Sequence, residues 1–278
     1  MRFKTTLLAS AAGAAVLATV PVAQAGGTYI SLFGGWNRAN DLKSHSGSGT
    51  VAVPVSGSHG TTNTTTHSHA TTFTFASNFF NSGAKAEGGF VLGAAVGGDL
   101  SQVLKGLRGE LELAYRQNKF KSGNQVVTNP GATTRTATFP DSAGTLTLTG
   151  TFAGGTSVAS GRGELQTWTL LANAWYDIDL GSDLTPYIGG GIGYADNELK
   201  HGALADGSGD DFAWQLGAGI NYKIGDKTSI GVGYRYVDAG DIKITLASRP
   251  GGSPPEGTYD YDVQSHAVMA NINFQFGK

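Results

Sequence analysis

The sequence predicts an all-β fold, an eight-stranded antiparallel transmembrane β-barrel with long extracellular loops. Three observations predict it. An N-terminal export signal is followed by no second stretch that approaches the length of a spanning helix. Period-two alternation then recurs along the chain in segments of about 10–14 residues. The connections between those segments alternate between long and short.

Composition narrows the possibilities before any motif is read. Of 278 residues, 43 are glycine and none is cysteine. The missing cysteines exclude a disulfide scaffold, a thiolate zinc site and a cysteine nucleophile. Charged residues make up 14% and the formal net charge is −2, well below the charge density usual for soluble domains. No basic stripe is present, so nucleic acid is not an expected partner.

The first segment reads as an address. Arg2 and Lys4 form a positive start, Leu7 to Val20 an apolar run, and Ala23-Gln24-Ala25 a small-x-small cleavage site. The expected division is a signal peptide over 1–25 and a barrel domain over 26–278. The apolar run is short for an anchor, which needs ~20 residues.

Within the mature chain, 27–36 and 87–97 are candidate strands with small or apolar residues on both faces, which leaves their registers open. In 107–116, Leu107, Gly109, Leu111, Leu113 and Tyr115 alternate with Arg108, Glu110, Glu112, Ala114 and Arg116. Segments 163–176 and 185–196 are again open in register, and the run Gly189-Gly190-Gly191 with Gly193 marks a crowded lumen or a close backbone. Segment 211–224 is the clearest. Phe212, Trp214, Leu216, Ala218, Ile220, Tyr222 and Ile224 share one face, and Ala213, Gln215, Gly217, Gly219, Asn221 and Lys223 the other. A tight turn at Gly225-Asp226-Lys227 leads to Ile230, Val232, Tyr234 and Tyr236, opposed by Ser229, Gly231, Gly233 and Arg235. The last segment sets His266, Val268, Ala270, Ile272, Phe274 and Phe276 against Ala267, Met269, Asn271, Asn273 and Gln275.

A tilted membrane-crossing strand needs ~9–11 residues, against about 5–6 for the mean globular strand. The connections fall at 37–86, 98–105, 117–162, 177–184, 197–210, 225–227 and 238–262. Long outer loops and short periplasmic turns are the asymmetry of outer-membrane barrels. The long connections are rich in Ser, Thr and Gly. Thr71 to Phe75 and Thr145 to Phe152 are candidate strand extensions standing above the membrane.

Several segments resemble one family. LTPYIGGGIG at 184–193 resembles the "tPYvGaGvG" segment of the opacity-protein/surface-antigen group of eight-stranded outer-membrane barrels, often labelled porin-like. AWQLGAGINY at 213–222, GYRY at 233–236 and LANAWYD at 171–177 resemble three further strands of that group. The resemblance implies a Gram-negative outer-membrane location, with outer-membrane lipid and lipopolysaccharide as surroundings. It also implies a barrel-assembly machinery that reads a terminal aromatic; here Gly277 and Lys278 follow Phe276. It is specific for architecture and poor for role.

Charges on a barrel strand must point inward, because a lipid-facing charge near the midplane costs about 2–4 kcal/mol. The expected polar lumen is therefore Arg108, Glu110, Glu112, Arg116, Gln215, Asn221 and Arg235, read as a salt-bridged plug, with a selectivity lining as the alternative. Trp36, Trp175, Tyr187, Trp214, Tyr222, Tyr234 and Phe276, near strand ends, are read as aromatic girdles. His67 and His69 are the weak candidates for a metal; without a full four-ligand set they read as ordinary loop residues. No cofactor is expected. No enzyme is expected either: Ser265 and His266 are adjacent and face opposite ways, with no carboxylate in register. The expected role is a surface protein, adhesin-like, whose loops at 44–80 and 120–160 contact a host or matrix ligand. The alternative is a narrow passive channel for small solutes.

Overall fold

Strands of a membrane-embedded sheet cannot leave an edge unpaired, since hydrocarbon offers no hydrogen bonds. The computed structural model meets this condition by closing a ring. It describes residues 27–42, 44–59, 63–75, 85–128, 133–141, 144–152, 156–201, 206–246 and 256–276. The expected signal peptide at 1–25 lies outside the described residues. The strands are β1 (Thr28–Ala39), β2 (Ser44–His59), β3 (Asn63–Phe75), β4 (Lys85–Ala86), β5 (Gly88–Asp99), β6 (Leu107–Thr128), β7 (Thr133–Asp141), β8 (Gly144–Phe152), β9 (Thr156–Asp177), β10 (Leu184–His201), β11 (Gly207–Gly225), β12 (Thr228–Leu246) and β13 (Glu256–Phe276).

The ring runs β1-β5-β6-β9-β10-β11-β12-β13 and closes by antiparallel pairing of β1 with β13, from Thr28 opposite Phe276 to Ala39 opposite Ser265. These are the eight strands expected from the alternation. The other strands extend the sheet at the long-loop end. β2 and β3 form one hairpin, β7 and β8 another, and β2 pairs along the start of β13 from Thr50 opposite Glu256 to Ser44 opposite Tyr261. The expected strand extensions at Thr71 to Phe75 and Thr145 to Phe152 fall within β3 and β8.

Strand boundaries match the sequence reading at the short turns and overrun it at the other end. β6 and β9 reach 22 residues each and pair as far as Thr128 opposite Thr156. The expected loop ends at 117 and 162 are therefore corrected. Apolar alternation stops where the outer solvent changes, whereas backbone pairing continues beyond it. The turn over 100–106 ends on Gly106 at φ 84°, a left-handed conformation that suits glycine. Its carbonyl accepts the Asp177 N–H at 2.8 Å, which ties the turn to β9.

The faces are inverted relative to a soluble protein along part of each strand. On β6, Leu113 is 47% exposed while its neighbour Glu112 is 0% exposed. Ile30, Leu92, Ile188, Leu216, Val232 and Val268 also stand outside, while Asn173, Gln215 and Arg235 are buried. Nearer the long-loop end the pattern reverses: Phe120, Leu165, Leu199, Ile242, Ile244 and Val263 form an apolar core, with Lys119, Glu164, Lys200 and Lys243 outside. The reversal occurs at an outward aromatic row containing Trp36, Phe90, Tyr115, Trp168, Tyr194 and Tyr236.

Inner-face glycines make the charged interior possible. A Cβ on Gly191 would collide with the Asn173 side chain, and one on Gly219 would come within 2.5 Å of the Tyr187 hydroxyl. The expectation of a crowded lumen at the Gly189–Gly193 run is met by these contacts.

Placing a charge on the outward face tests this arrangement. Leu113→Arg is expected to destabilise the folded barrel by about 2–4 kcal/mol, read from urea unfolding in lipid vesicles. A change near zero would contradict a hydrocarbon-facing surface at this position.

Candidate functional site

The densest chemistry lies inside the ring, in a polar column carried mainly by β6 and β9. Alternation sends Arg108, Glu110, Glu112 and Arg116 inward from β6, and Thr169, Asn173 and Trp175 inward from β9. Glu110 accepts hydrogen bonds from Tyr29 Oη at 2.8 Å, Asn173 Nδ2 at 3.1 Å and Trp175 Nε1 at 3.1 Å. Arg108 lies 3.4 Å from Glu110 and donates through Nε to Asp177 at 3.0 Å and through Nη1 to Tyr29 Oη at 2.7 Å.

One step further along the column, Glu112 accepts from Asn173 Nδ2 at 3.0 Å and Gln215 Nε2 at 3.2 Å, and pairs with Arg235. Arg116 completes the group at 3.9 Å from Glu112, with Nη1 donating to Thr169 Oγ1 at 2.7 Å. The Arg235 guanidinium lies 4.4 Å from the centre of the Trp175 ring, and Arg108 lies 5.1 Å from that of Tyr187. Three guanidiniums (Arg108, Arg116, Arg235) and three carboxylates (Glu110, Glu112, Asp177) thus balance each other in a place where a lone charge would be prohibitively costly. The guanidiniums gain further from the aromatic faces.

The column is open below. Phe33, Val91, Ala114, Ala267 and Met269 form an apolar cluster inside the ring at the level of Arg116 and Arg235, and the larger apolar core runs from the level of Glu112 towards the long-loop end. At the short-turn end a polar cavity of about 160 Å³, lined in part by Arg108, Asp177, Asn221 and Asn273, ends at the charges. Asn221 is only half-buried there and accepts from Asn271 at 3.0 Å. Trp175, Arg116, Phe120, Gln215 and Glu112 are among the largest fully buried side chains. The arrangement holds charge in the interior of the ring. It offers no activated nucleophile.

The structure gathers Arg108, Glu110, Glu112, Arg116, Gln215 and Arg235 into this network, with Asn221 at its mouth. The aromatic assignments divide. Trp36, Tyr222, Tyr234 and Phe276 are exposed on the outer surface, and Trp214 stacks there against Tyr236 with ring centres 5.4 Å apart. Trp175 and Tyr187 are corrected: they are 0% and 5% exposed and pack edge to face at 5.6 Å inside the ring. Proximity to a strand end does not decide facing; parity does, and both registers were open. Thr167, Thr169 and Asn173 share the parity of Trp175 and carried the signal for the β9 register. Phe90, Tyr115, Trp168 and Tyr194 are outward aromatics that the strand-end criterion missed.

His67 and His69 lie on β3, with backbones opposite Val55 and Val53. Ser265 is buried, whereas His266 faces outward with Nδ1 2.6 Å from Tyr234 Oη, so the two cannot act on one substrate atom.

The family description "Outer membrane protein beta-barrel domain" matches residues 5–274. The chain belongs to this family. It is an all-β barrel protein of the bacterial outer membrane. It is 27% identical over 124 residues to outer membrane protein PagN of Salmonella typhimurium, covering 41% of this chain and 52% of the relative. It is 32% identical over 135 residues to an uncharacterized protein of Brucella abortus, covering 39% and 47%. The matched parts thus span about half the length of these relatives. The crystal structure of outer membrane protein OprG from Pseudomonas aeruginosa superposes with a TM-score of 0.48 at 13% identity, over 91% of this chain and 98% of that one.

The buried pairing gives a testable energetic consequence. Glu112→Ala leaves Arg235 and Arg116 without their shared carboxylate and is expected to cost about 3–5 kcal/mol. Adding Arg235→Met is expected to restore part of that loss in urea unfolding. Additive losses in the double variant would mean that the two side chains are not energetically coupled.

Proposed function

We propose that this barrel is an anchor for surface contact. It is exported through a cleaved signal over 1–25, sits in outer-membrane lipid and lipopolysaccharide with aromatics at the membrane boundaries, and presents a threonine- and glycine-rich sheet to an external ligand on a host surface or matrix. One observation carries the reading: the interior is filled twice, by the ion network within the apolar-faced section and by the apolar core beyond it. A barrel so filled spends its interior on holding the wall rather than on passage. Strands β2, β3, β7 and β8 extend the sheet beyond the ring, and their sequences are rich in Ser, Thr and Gly. No step of catalysis is assigned to it.

Conductance and binding together test this. Purified protein in planar bilayers is expected to be silent, and cells carrying it are expected to lose adherence to host matrix when 44–80 and 133–152 are replaced by short turns. A steady conductance that changes with Glu110→Ala or Arg116→Ala would replace this role with that of a narrow solute channel.

A further inference from the structure

The apolar wall of the ring is not equally tall all the way round. From the aromatic row to the short-turn end, outward positions run from Tyr115 to Leu107 on β6, from Trp168 to Tyr176 on β9 and from Phe90 to Gly98 on β5. Each of these rows rises about 19 Å for a strand tilted by ~45°. On β11 the row runs from Phe212 to Ile224, a rise of about 28 Å on the same basis. The apolar band of an outer-membrane barrel is about 25 Å tall, so the wall over β5, β6 and β9 stops about 6 Å short and that over β11 does not.

The turns below the short wall carry exposed apolar side chains. In the turn over 100–106, Val103 is 79% exposed and Leu104 is exposed beside it. In the turn over 178–183, Ile178 and Leu180 are exposed. Polar residues are interleaved with them: Ser101, Gln102 and Lys105 in the first turn, Asp179, Ser182 and Asp183 in the second. Lys105 Nζ lies 3.5 Å from Asp179, so the two turns stand side by side. Below the tall wall, the β11–β12 turn instead exposes Asp226 and Lys227.

The first turn is folded onto the outer surface of the ring. Gly109 shares the outward parity of Leu111 and Leu113, and a Cβ there would come 3.0 Å from Leu100 Cδ1. A Cβ on Gly106 would lie 3.4 Å from the outward ring of Tyr176. The backbone of this turn is also closed on itself. Val103 and Leu104 both donate to the Leu100 carbonyl, at 2.8 and 3.2 Å, Leu100 and Leu107 donate to Leu107 and Leu104, and the Ser101 N–H donates to the Asp99 carboxylate at 2.7 Å. Water would satisfy such donors unaided; hydrocarbon would not.

We infer that the two turns form a membrane-inserted rim, in which Val103, Leu104, Ile178 and Leu180 enter the inner leaflet just below the phospholipid headgroups and supply the missing height of the wall. An apolar set interleaved with polar residues suits a segment lying at that boundary. The rim lies at the opposite end of the ring from the hairpins, so it holds whether or not the surface-contact role does.

The chain has no cysteine, so single labels report without background. The test uses the full chain carrying Val103→Cys, Leu104→Cys or Leu180→Cys, labelled with bimane and folded into phosphatidylcholine nanodiscs. Quenching by lipid-borne nitroxides at two chain depths and by aqueous iodide reads the position of the label. The three labels are expected about 5–10 Å inside the headgroup boundary, with Leu113→Cys deeper and Asp226→Cys in water. Val103→Ser/Leu104→Ser is expected to move the Leu180→Cys label towards water. Heat-modifiable gel mobility checks that each variant is folded. A Val103→Cys label as open to iodide as the Asp226→Cys label would overturn the inference, and an unmoved Leu180→Cys label would overturn the joint rim. Iodide access in nanodiscs together with protection in native outer-membrane fragments would give the patch to a periplasmic protein instead.

Discussion

Closure of β1 on β13 is the constraint from which the rest of the structure follows. A backbone group left unpaired in hydrocarbon costs several kcal/mol, so the sheet must end where it began. Closing eight strands fixes a narrow interior, about wide enough for side chains to fill. Outward positions must then be apolar, and every polar side chain needed for alternation is forced into that narrow space. The ion network is the result of this geometry: Arg108, Arg116 and Arg235 have nowhere else to go and must meet Glu110, Glu112 and Asp177 there.

The same geometry explains the glycine content. Trp175, Tyr187 and Tyr29 point inward, and each occupies the space that a side chain on a neighbouring strand would otherwise take. Gly189 and Gly217 make way for Trp175, Gly219 and Gly233 for Tyr187, and Gly97 for Tyr29. Glycine weakens a strand on its own account. Here the loss is offset by aromatic faces that stack on the guanidiniums and by hydrogen bonds from Trp175 and Tyr29 to Glu110.

Along each long strand two solvents act in turn. In the lower part hydrocarbon selects apolar residues outside and charges inside; in the upper part water selects the reverse, and Ile242, Ile244 and Leu165 turn inward while Lys119 and Glu164 face out. The pairing of β9 with β6 and β10 is continuous across the change, so this single strand obeys both rules, with Trp168 at the crossing. The barrel is thus anchored in one medium and continues into the other as an ordinary apolar-cored sheet, onto whose β13 edge the hairpin β2–β3 is paired.

How much of this was legible from residues alone depended on contrast between the two faces of a strand. In 107–116 and 211–224 that contrast is strong, so alternation by itself determined the strands, their facing and the inward set Arg108, Glu110, Glu112, Arg116 and Gln215. It also determined the number of ring strands and the places of the short turns, because a two-residue period is a local property of the chain. In 163–176 and 185–196 both faces are small or apolar, and only the folded ring decided that Trp175 and Tyr187 point inward. Partner choice was likewise beyond the sequence: Glu112 meets Gln215 and Arg235 across more than a hundred positions. Such contacts depend on the stagger of strands around a closed ring, which no local pattern encodes.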